Sequence, residues 1–544
     1  MSLSERLFRG LLRLASRLPA DPRVAPLLEL RCEQLPLAKM DVQPGRLAGR
    51  VLAVQGVEDP IFQGLLATLA GDLQTAVGVQ PWLLQVRSIN GAIGAGALSR
   101  LARSWPVTAL FNFQWRRANA DVMAGVGFRS GGWQSPLAHW RGARAGRALQ
   151  NRLQRQGGLA DLRIDGILVG DLLIDSYLRF RPAATVDLAD PFLARLLTQM
   201  LRDVALAQAW FARAQPALYL SSYSTYIEHG VAVRVALAHG IPVRVFGNLI
   251  TFGKRLSVDD PFHATNGSTY RAIAESLADP GPALARADEL LAGRLGGKID
   301  QATSYMRQSA YVSSGEPVSA EVRGAVVVFL HDFFDSPHVY ADLVFDDFWQ
   351  WICCTIRTLT EAGIPFFLKP HPNQIAASFA VLDQLRAQFP SLRLLSTRIT
   401  NRQLVDAGMG AGVTVYGTVG HELAYLGVPV ICCARHPHHA FDFCRTAHSV
   451  AEYQDMLRQP FELPLDRDAM RHQALQFYYA HNLHGSTEEH ALRARFGALF
   501  KVGNDDEASP DALAHSLAAL RAEPAWPVFV QELIQDMRAA PARG

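Results

Sequence analysis

The chain is short of charge, of lysine and of cysteine. Charged residues are 19% of the 544 and hydrophobic residues 49%, against the ~25% charge usual in globular domains. That balance excludes an intrinsically disordered chain, which needs the opposite bias. Lys+Arg at 53 against Asp+Glu at 50 leaves a net charge of +3, too little to argue for a nucleic-acid partner from bulk electrostatics. Lysine occurs only at Lys39, Lys254, Lys298, Lys369 and Lys501, so a lysine inside a motif stands out. The six cysteines include the adjacent pairs Cys353-Cys354 and Cys432-Cys433, and none shows the C-x-x-C spacing of a thiolate metal site. Reduced, buried thiols of a cytoplasmic protein are the expectation. No uninterrupted apolar run reaches the ~18 residues of a membrane span; the most apolar region, 407–434, is interrupted by His421, Glu422 and Pro429. What remains is a globular chain long enough for several domains of ~150 residues.

Residues 3–18 set Leu7, Leu11, Ala15 and Leu18 on one helical stripe and Arg6, Arg9, Arg13 and Arg17 opposite. They lack the core and cleavage site of a signal peptide, and read as a surface helix or as a peripheral foot on a membrane. Beyond them, short apolar runs alternate with helical stretches. Strands are predicted at 51–54, 82–89, 107–113, 164–169, 217–221 and 243–246, and helices at 61–77, 191–214 and 230–239. After an Arg/Gly/Trp-rich insertion at 115–156 and a strand-poor stretch at 248–323, the rhythm resumes. Strands are predicted at 325–330, 365–368, 392–395, 413–416 and 428–432, with helices at 348–362, 379–389, 401–407 and 419–426. This is the pattern of βαβ units. The expected fold is α/β, with two Rossmann-like parallel-sheet domains facing a cleft and C-terminal helices. The expected divisions are an amphipathic N-terminal region (1–45), a first Rossmann-like domain (46–250), a helical connector (251–322), a second Rossmann-like domain (323–460) and a helical C-terminal region (461–544).

Three polar segments follow strands of the second half. Tyr416-Gly417-Thr418-Val419-Gly420-His421-Glu422 runs from a strand into a helix, where Gly417 allows close approach of a phosphate and the Thr418 hydroxyl can cap or donate. Glu422, one turn later, can accept from sugar hydroxyls; a capping Thr and a surface Glu are the alternative. Lys369-Pro370-His371-Pro372 holds its histidine between two prolines at a strand's carboxyl end, where open α/β sheets bind ligands. His331-Asp332-Phe333-Phe334-Asp335 follows the first strand of that sheet. The turn Arg435-His436-Pro437-His438-His439 lacks regular spacing and a carboxylate pair, so no metal is expected there. In the first half, Gly170-Asp171 offers Asp171 as a general base, with Asp175 and Arg179 toward an acceptor; Glu228 is the rival base, beside His229, and helix capping is an equal reading for each carboxylate.

These segments resemble the GT-B glycosyltransferases of bacterial capsule and surface-polysaccharide synthesis, in the His331-to-His338 loop, Lys369 to Pro372, and Gly417 to Pro429. The similarity covers roughly 326–453 well and the first half weakly. It implies a first domain for the acceptor and a second for a nucleotide-activated donor. His331, Asp332, Lys369, His371, Gly417, Thr418 and Glu422 would then line the donor site, His371 and Thr418 touching phosphate and Glu422 the ribose or sugar. The relatives include enzymes that use CMP-sugars, teichoic-acid glycerophosphotransferases that use CDP-glycerol, and sugar-nucleotide 2-epimerases. The expectation is a metal-independent transferase without cofactor, acting on a glycan or glycolipid acceptor at the cytoplasmic face of the inner membrane. The alternatives are a CDP-glycerol-type phosphotransferase and a non-catalytic scaffold of a polysaccharide assembly complex.

Overall fold

The helix Pro60–Val77 shows how local signals place an element. Asp59 caps it by accepting from the backbone N–H of Ile61 and Phe62, proline occupies its first position, and Gly78 ends it with φ 71°. Asp190 and a proline begin Pro191–Ala214 in the same way, and Thr400 with Gln403 forms a capping box for Asn401–Asp406. The computed structural model describes residues 47–56, 59–85, 129–131, 136–181, 183–248, 250–299, 311–312, 315–372, 374–503 and 510–539. The amphipathic stretch 3–18 and the predicted strand 107–113 lie outside these residues, as do parts of strand 82–89 and of insertion 115–156.

The chain forms two compact units. Unit 1 comprises residues to Arg181, Asp187–His263 and Ser486–Gly544. Its strands are β1 (Val51–Gly56), β2 (Gln80–Gln85), β3 (Arg129–Gly131), a two-strand hairpin β4 (Arg163–Ile164) and β5 (Ile167–Leu168), then β6 (Leu218–Ser221), β7 (Val243–Val245) and β8 (Lys254–Leu256). The main sheet runs β3-β2-β1-β6-β7-β8, parallel except for β8. The predicted buried strand 164–169 is instead the hairpin β4–β5. Asp165 and Gly166 sit at φ 49° and 80°, as a type I′ turn requires. The helices Thr487–Gly503, Pro510–Arg521 and Ala525–Ala539 return to this unit. Phe496, Leu517, Trp526 and Phe529 share its core with Phe62 and Leu66, and Arg521 grips Asp72 with two bonds of 3.0 and 2.7 Å.

Unit 2 comprises Pro182–Val186 and Ala264–Gly485. The expected connector and C-terminal region are thus each divided: β8 of the connector pairs with β7 in unit 1 while its helices Gly267–Glu275 and Pro280–Leu295 pack in the unit 2 core, and the C-terminal helices bury apolar faces in both cores. Strands β9 (Val326–Phe329), β10 (Phe366–Lys369), β11 (Ala411–Val413), β12 (Val430–Cys432) and β13 (Arg445–Thr446) form a wholly parallel sheet ordered β10-β9-β11-β12-β13. Val326, Val327 and Val328 are fully buried, as expected of strands covered on both faces. The predicted strand 392–395 is reduced to one bridge, Leu368 to Leu394. Among the described residues, no helix is long and apolar enough to cross a membrane.

Candidate functional site

In an open parallel sheet, ligands bind beyond the carboxyl ends of the strands where the strand order reverses. In unit 2 that point lies between β9 and β11, since the chain goes from β9 to β10 on one side and later to β11 on the other. His331 follows β9 and Thr414 follows β11, and they meet across this point, Nε2 to Oγ1 at 3.1 Å. The His331 ring stacks on Phe348 at 4.8 Å and lies 4.5 Å from Tyr416. Burial, reinforced by the field of His371, pushes the His331 pKa down to about 3, so the ring is neutral. Gly417 is part of the same group: a Cβ there would stand 2.9 Å from Thr414 Oγ1 and 3.7 Å from His331. Thr418 is exposed and precedes the helix Val419–Tyr425 without capping it through its side chain. His371 is half-buried; burial lowers its pKa against the pull of Asp332 and Asp335.

Three of the expected donor-site residues have other commitments. Asp332 is a tie within the fold: its carboxylate accepts from the N–H of Phe334 (3.0 Å) and of Ile375 (2.8 Å) and from Ser378 Oγ (2.7 Å). Glu422 is fully buried, so it is neither a surface residue nor a ligand for sugar hydroxyls. One oxygen accepts from Tyr311 and pairs with Arg294 at 2.9 Å, and the other accepts from Asn401 at 3.0 Å. Exposure falls along the segment, from the exposed Thr418 through Val419 to the buried Gly420, His421 and Glu422. Lys369, the last residue of β10, is 5% exposed. Burial lowers its pKa to about 8, against the attraction of Glu422. Arg294 pairs with Glu422, and Lys369 feels the same buried carboxylate, while Asp332, Asp335 and Lys369 all act on His371 at the neighbouring strand ends.

Unit 1 reverses its strand order between β1 and β6, and Gln55 is buried there. Its Oε1 accepts from the Ser222 N–H at 2.9 Å, from Ser222 Oγ at 2.8 Å and from Ser221 Oγ at 3.0 Å. The backbone donor fixes the amide orientation, so Gln55 Nε2 donates to His229 Nδ1 at 2.8 Å. A neutral His229 then carries its proton on Nε2, 3.5 Å from Glu228 Oε1. Both residues lie on a π-turn, Tyr226–Gly230, a distortion common at functional sites. Tyr226 enters the turn at φ 59°, a genuine outlier for a bulky residue. Gly230 leaves it so close to Leu172 that a Cβ would come within 2.5 Å. Ser176 accepts from the Ile227 N–H at 2.9 Å, fastening the turn to the helix Gly170–Phe180. Asp59 lies within electrostatic reach of His229.

The same structure removes Asp171 as a general base. Its two oxygens accept from both terminal nitrogens of the buried Arg234, so the carboxylate is an internal counter-ion. Asp175, 1% exposed on the same helix, is likewise closed to an acceptor, and Arg179 is half-buried at the helix end. Glu228 and His229 keep 14% and 17% of their side-chain surface exposed. Sequence reasoning missed Gln55, Ser222 and Thr414. Their one linear signal is a polar residue at or just beyond the carboxyl end of an apolar strand.

No protein-family model and no curated protein matches this chain. Among solved structures, Anabaena HepE in complex with UDP and glucose aligns over 83% of this chain and 98% of its own, at 10% identity and a TM-score of 0.26. A sucrose-phosphate synthase from Thermosynechococcus elongatus aligns over 90% and 98%, at 11% and 0.25. A UDP-N-acetylglucosamine 2-epimerase aligns over 85% and 98%, at 12% and 0.21. Likenesses this loose carry no argument, and the α/β assignment rests on the two parallel sheets themselves.

Proposed function

We propose that this protein is a glycosyltransferase that uses a nucleotide-activated sugar without a catalytic metal. The observation that supports the reading is the unit 2 strand-reversal point, where Gly417 stands close to Thr414 and His331, the exposed Thr418 follows it, His371 acts on His331, and Lys369 ends the adjoining strand β10. Such a place suits the diphosphate or phosphate of a donor: glycine admits the oxygens, hydroxyl and imidazole donate to them, and the Lys369 ammonium favours the charge that grows on the leaving group. In unit 1, Glu228 supplies the base. It takes the proton of an acceptor hydroxyl, the freed oxygen bonds to the anomeric carbon, and the bond from that carbon to the donor phosphate breaks. His229, held by Gln55, positions the carboxylate and shares its charge.

The motif resemblance extends the proposal to a CMP-sugar or related donor, a glycan or glycolipid acceptor, and a capsule or other surface polysaccharide made at the cytoplasmic face of the inner membrane. The test is thermal stabilisation of the purified chain by CMP-, CDP-, UDP- and GDP-linked donors, followed by product analysis. Stabilisation by one class with sugar transfer to an acceptor is the expected result. Release of CMP from CDP-glycerol would replace the reading with phosphotransfer, and no stabilisation by any donor would overturn it in favour of a scaffold.

A further inference from the structure

The histidine-rich turn looks unfit for a metal when read along the chain, yet β12 and β13 change its surroundings. They pair in parallel, Ile431 with Arg445 and Cys432 with Thr446, so Cys444, directly before β13, is brought level with the start of β12. The connection between them folds His438 against both thiols. One ligand atom each from Cys432, His438 and Cys444 lies within 4.8 Å of the other two, and all three residues are buried. His438 is fully enclosed; its ring stacks on Phe443 at 5.2 Å and meets Phe477 edge-on at 5.3 Å.

Neither ring nitrogen of His438 has a hydrogen-bond partner among the described residues. A buried polar group left in that state costs ~1–3 kcal/mol and is an exception that asks for a missing partner. Two further features fit. Gly420 closes the site with bare backbone, since a Cβ there would stand 2.4 Å from His438 Nε2 and 3.4 Å from Cys444 Sγ. His436 is also fully buried, its ring 4.0 Å from that of His438, with Nε2 bonded to Thr446 Oγ1 at 2.7 Å. An imidazole steadied through one nitrogen by an outer partner is how proteins orient a metal-binding histidine.

We propose that Cys432, His438 and Cys444, with His436 in the fourth position, bind one zinc-class divalent cation. Two thiolates and two imidazoles are the donor set such a cation prefers. Each thiol loses its proton to solvent as its sulfur bonds the metal, and both imidazoles bind as neutral ligands. Metal–sulfur bonds of ~2.3 Å and metal–nitrogen bonds of ~2.0 Å require the three clustered ligand atoms to draw together and His436, which stands outside that cluster, to turn its Nδ1 toward the ion. With four protein ligands and no solvent access the ion is structural, and it pins the connection between β12 and β13. The inference is independent of the transfer reading.

The test is metal analysis of the full chain purified from zinc-supplemented medium without chelator, together with the visible spectrum after Co²⁺ loading. Expected are about one zinc per chain and the intense tetrahedral cobalt bands, with thiolate charge transfer, of a two-sulfur site. Cys444→Ser and His438→Ala should lose stoichiometric metal, and Cys354→Ser should keep it. A wild-type chain with under a tenth of an equivalent of metal and no cobalt bands overturns the proposal, as does a Cys432–Cys444 disulfide found by mass spectrometry in freshly purified protein. The wild-type cobalt spectrum decides the matter even if the variants fold poorly.

Discussion

Both units place a polar cluster where their strand order reverses, but they build it from opposite materials. Unit 1 uses an amide and hydroxyls, Gln55, Ser221 and Ser222, to hold His229 beside Glu228, and its accessible charge is a carboxylate. Unit 2 uses aromatic walls around a neutral His331 and ends β10 on the buried Lys369. The same topology thus yields a carboxylate–imidazole pair in one unit and a histidine among aromatic rings in the other. In each, a second carboxylate that looks functional is sealed against an arginine: Asp171 on Arg234, and Glu422 on Arg294.

That pairing makes the sealed carboxylates the most sensitive points. Glu422→Ala and Asp171→Ala each strand a buried guanidinium, and each should cost ~3–5 kcal/mol of unfolding free energy by chemical denaturation. A loss below 1 kcal/mol in either would mean that its carboxylate is not sealed. Next comes Glu228→Gln, expected to slow transfer at least ~100-fold with unchanged thermal stabilisation by the donor nucleotide. If donor binding weakened equally, the division of labour between the units would fail.

Lys369→Met should weaken nucleotide binding ~10- to 100-fold, the range for losing a charged partner, and should also slow transfer at saturating donor, because the same charge would meet the leaving phosphate. The pH dependence sharpens the same point. Lys369 is held with a pKa of about 8, so below that pH its charge is already present. Above it, anion binding must take up a proton, and affinity should fall by up to ~10-fold per pH unit. For stability the sign is reversed: a lysine whose folded pKa is depressed favours the native state fully above its unfolded value, and that contribution is lost as pH falls through about 8. The smallest effect belongs to Thr418→Val, which removes one exposed donor and should weaken donor binding ~10-fold, the low end for a hydrogen bond to a charged group, without changing stability.

The linear pattern was most legible where periodicity and capping coincide. Pro191–Ala214 was predicted at its observed limits, and 325–330 contains β9. It misled where a short apolar run was taken for a buried strand although Asp165-Gly166 announced a type I′ turn. For the sites, position at or just beyond a strand's carboxyl end was readable for His331, Lys369, His371 and Thr418, because the end of a parallel strand is a sequence-local event. Commitment was not readable, since a carboxylate's availability depends on which distant arginine reaches it.

The sequence by itself determined the α/β alternation, the caps, and which polar segments leave the strands, all of which depend on residues within a few positions of one another. Only the tertiary structure decided that Glu422 and Asp171 are counter-ions, that Gln55 fixes the proton of His229, and that Cys432, His438 and Cys444 share one buried pocket. Those outcomes need side chains brought together across sheets and connections by burial of the surrounding apolar surface. Burial is also what turns a nearby opposite charge from a weak surface contact into a partner that cannot be spared.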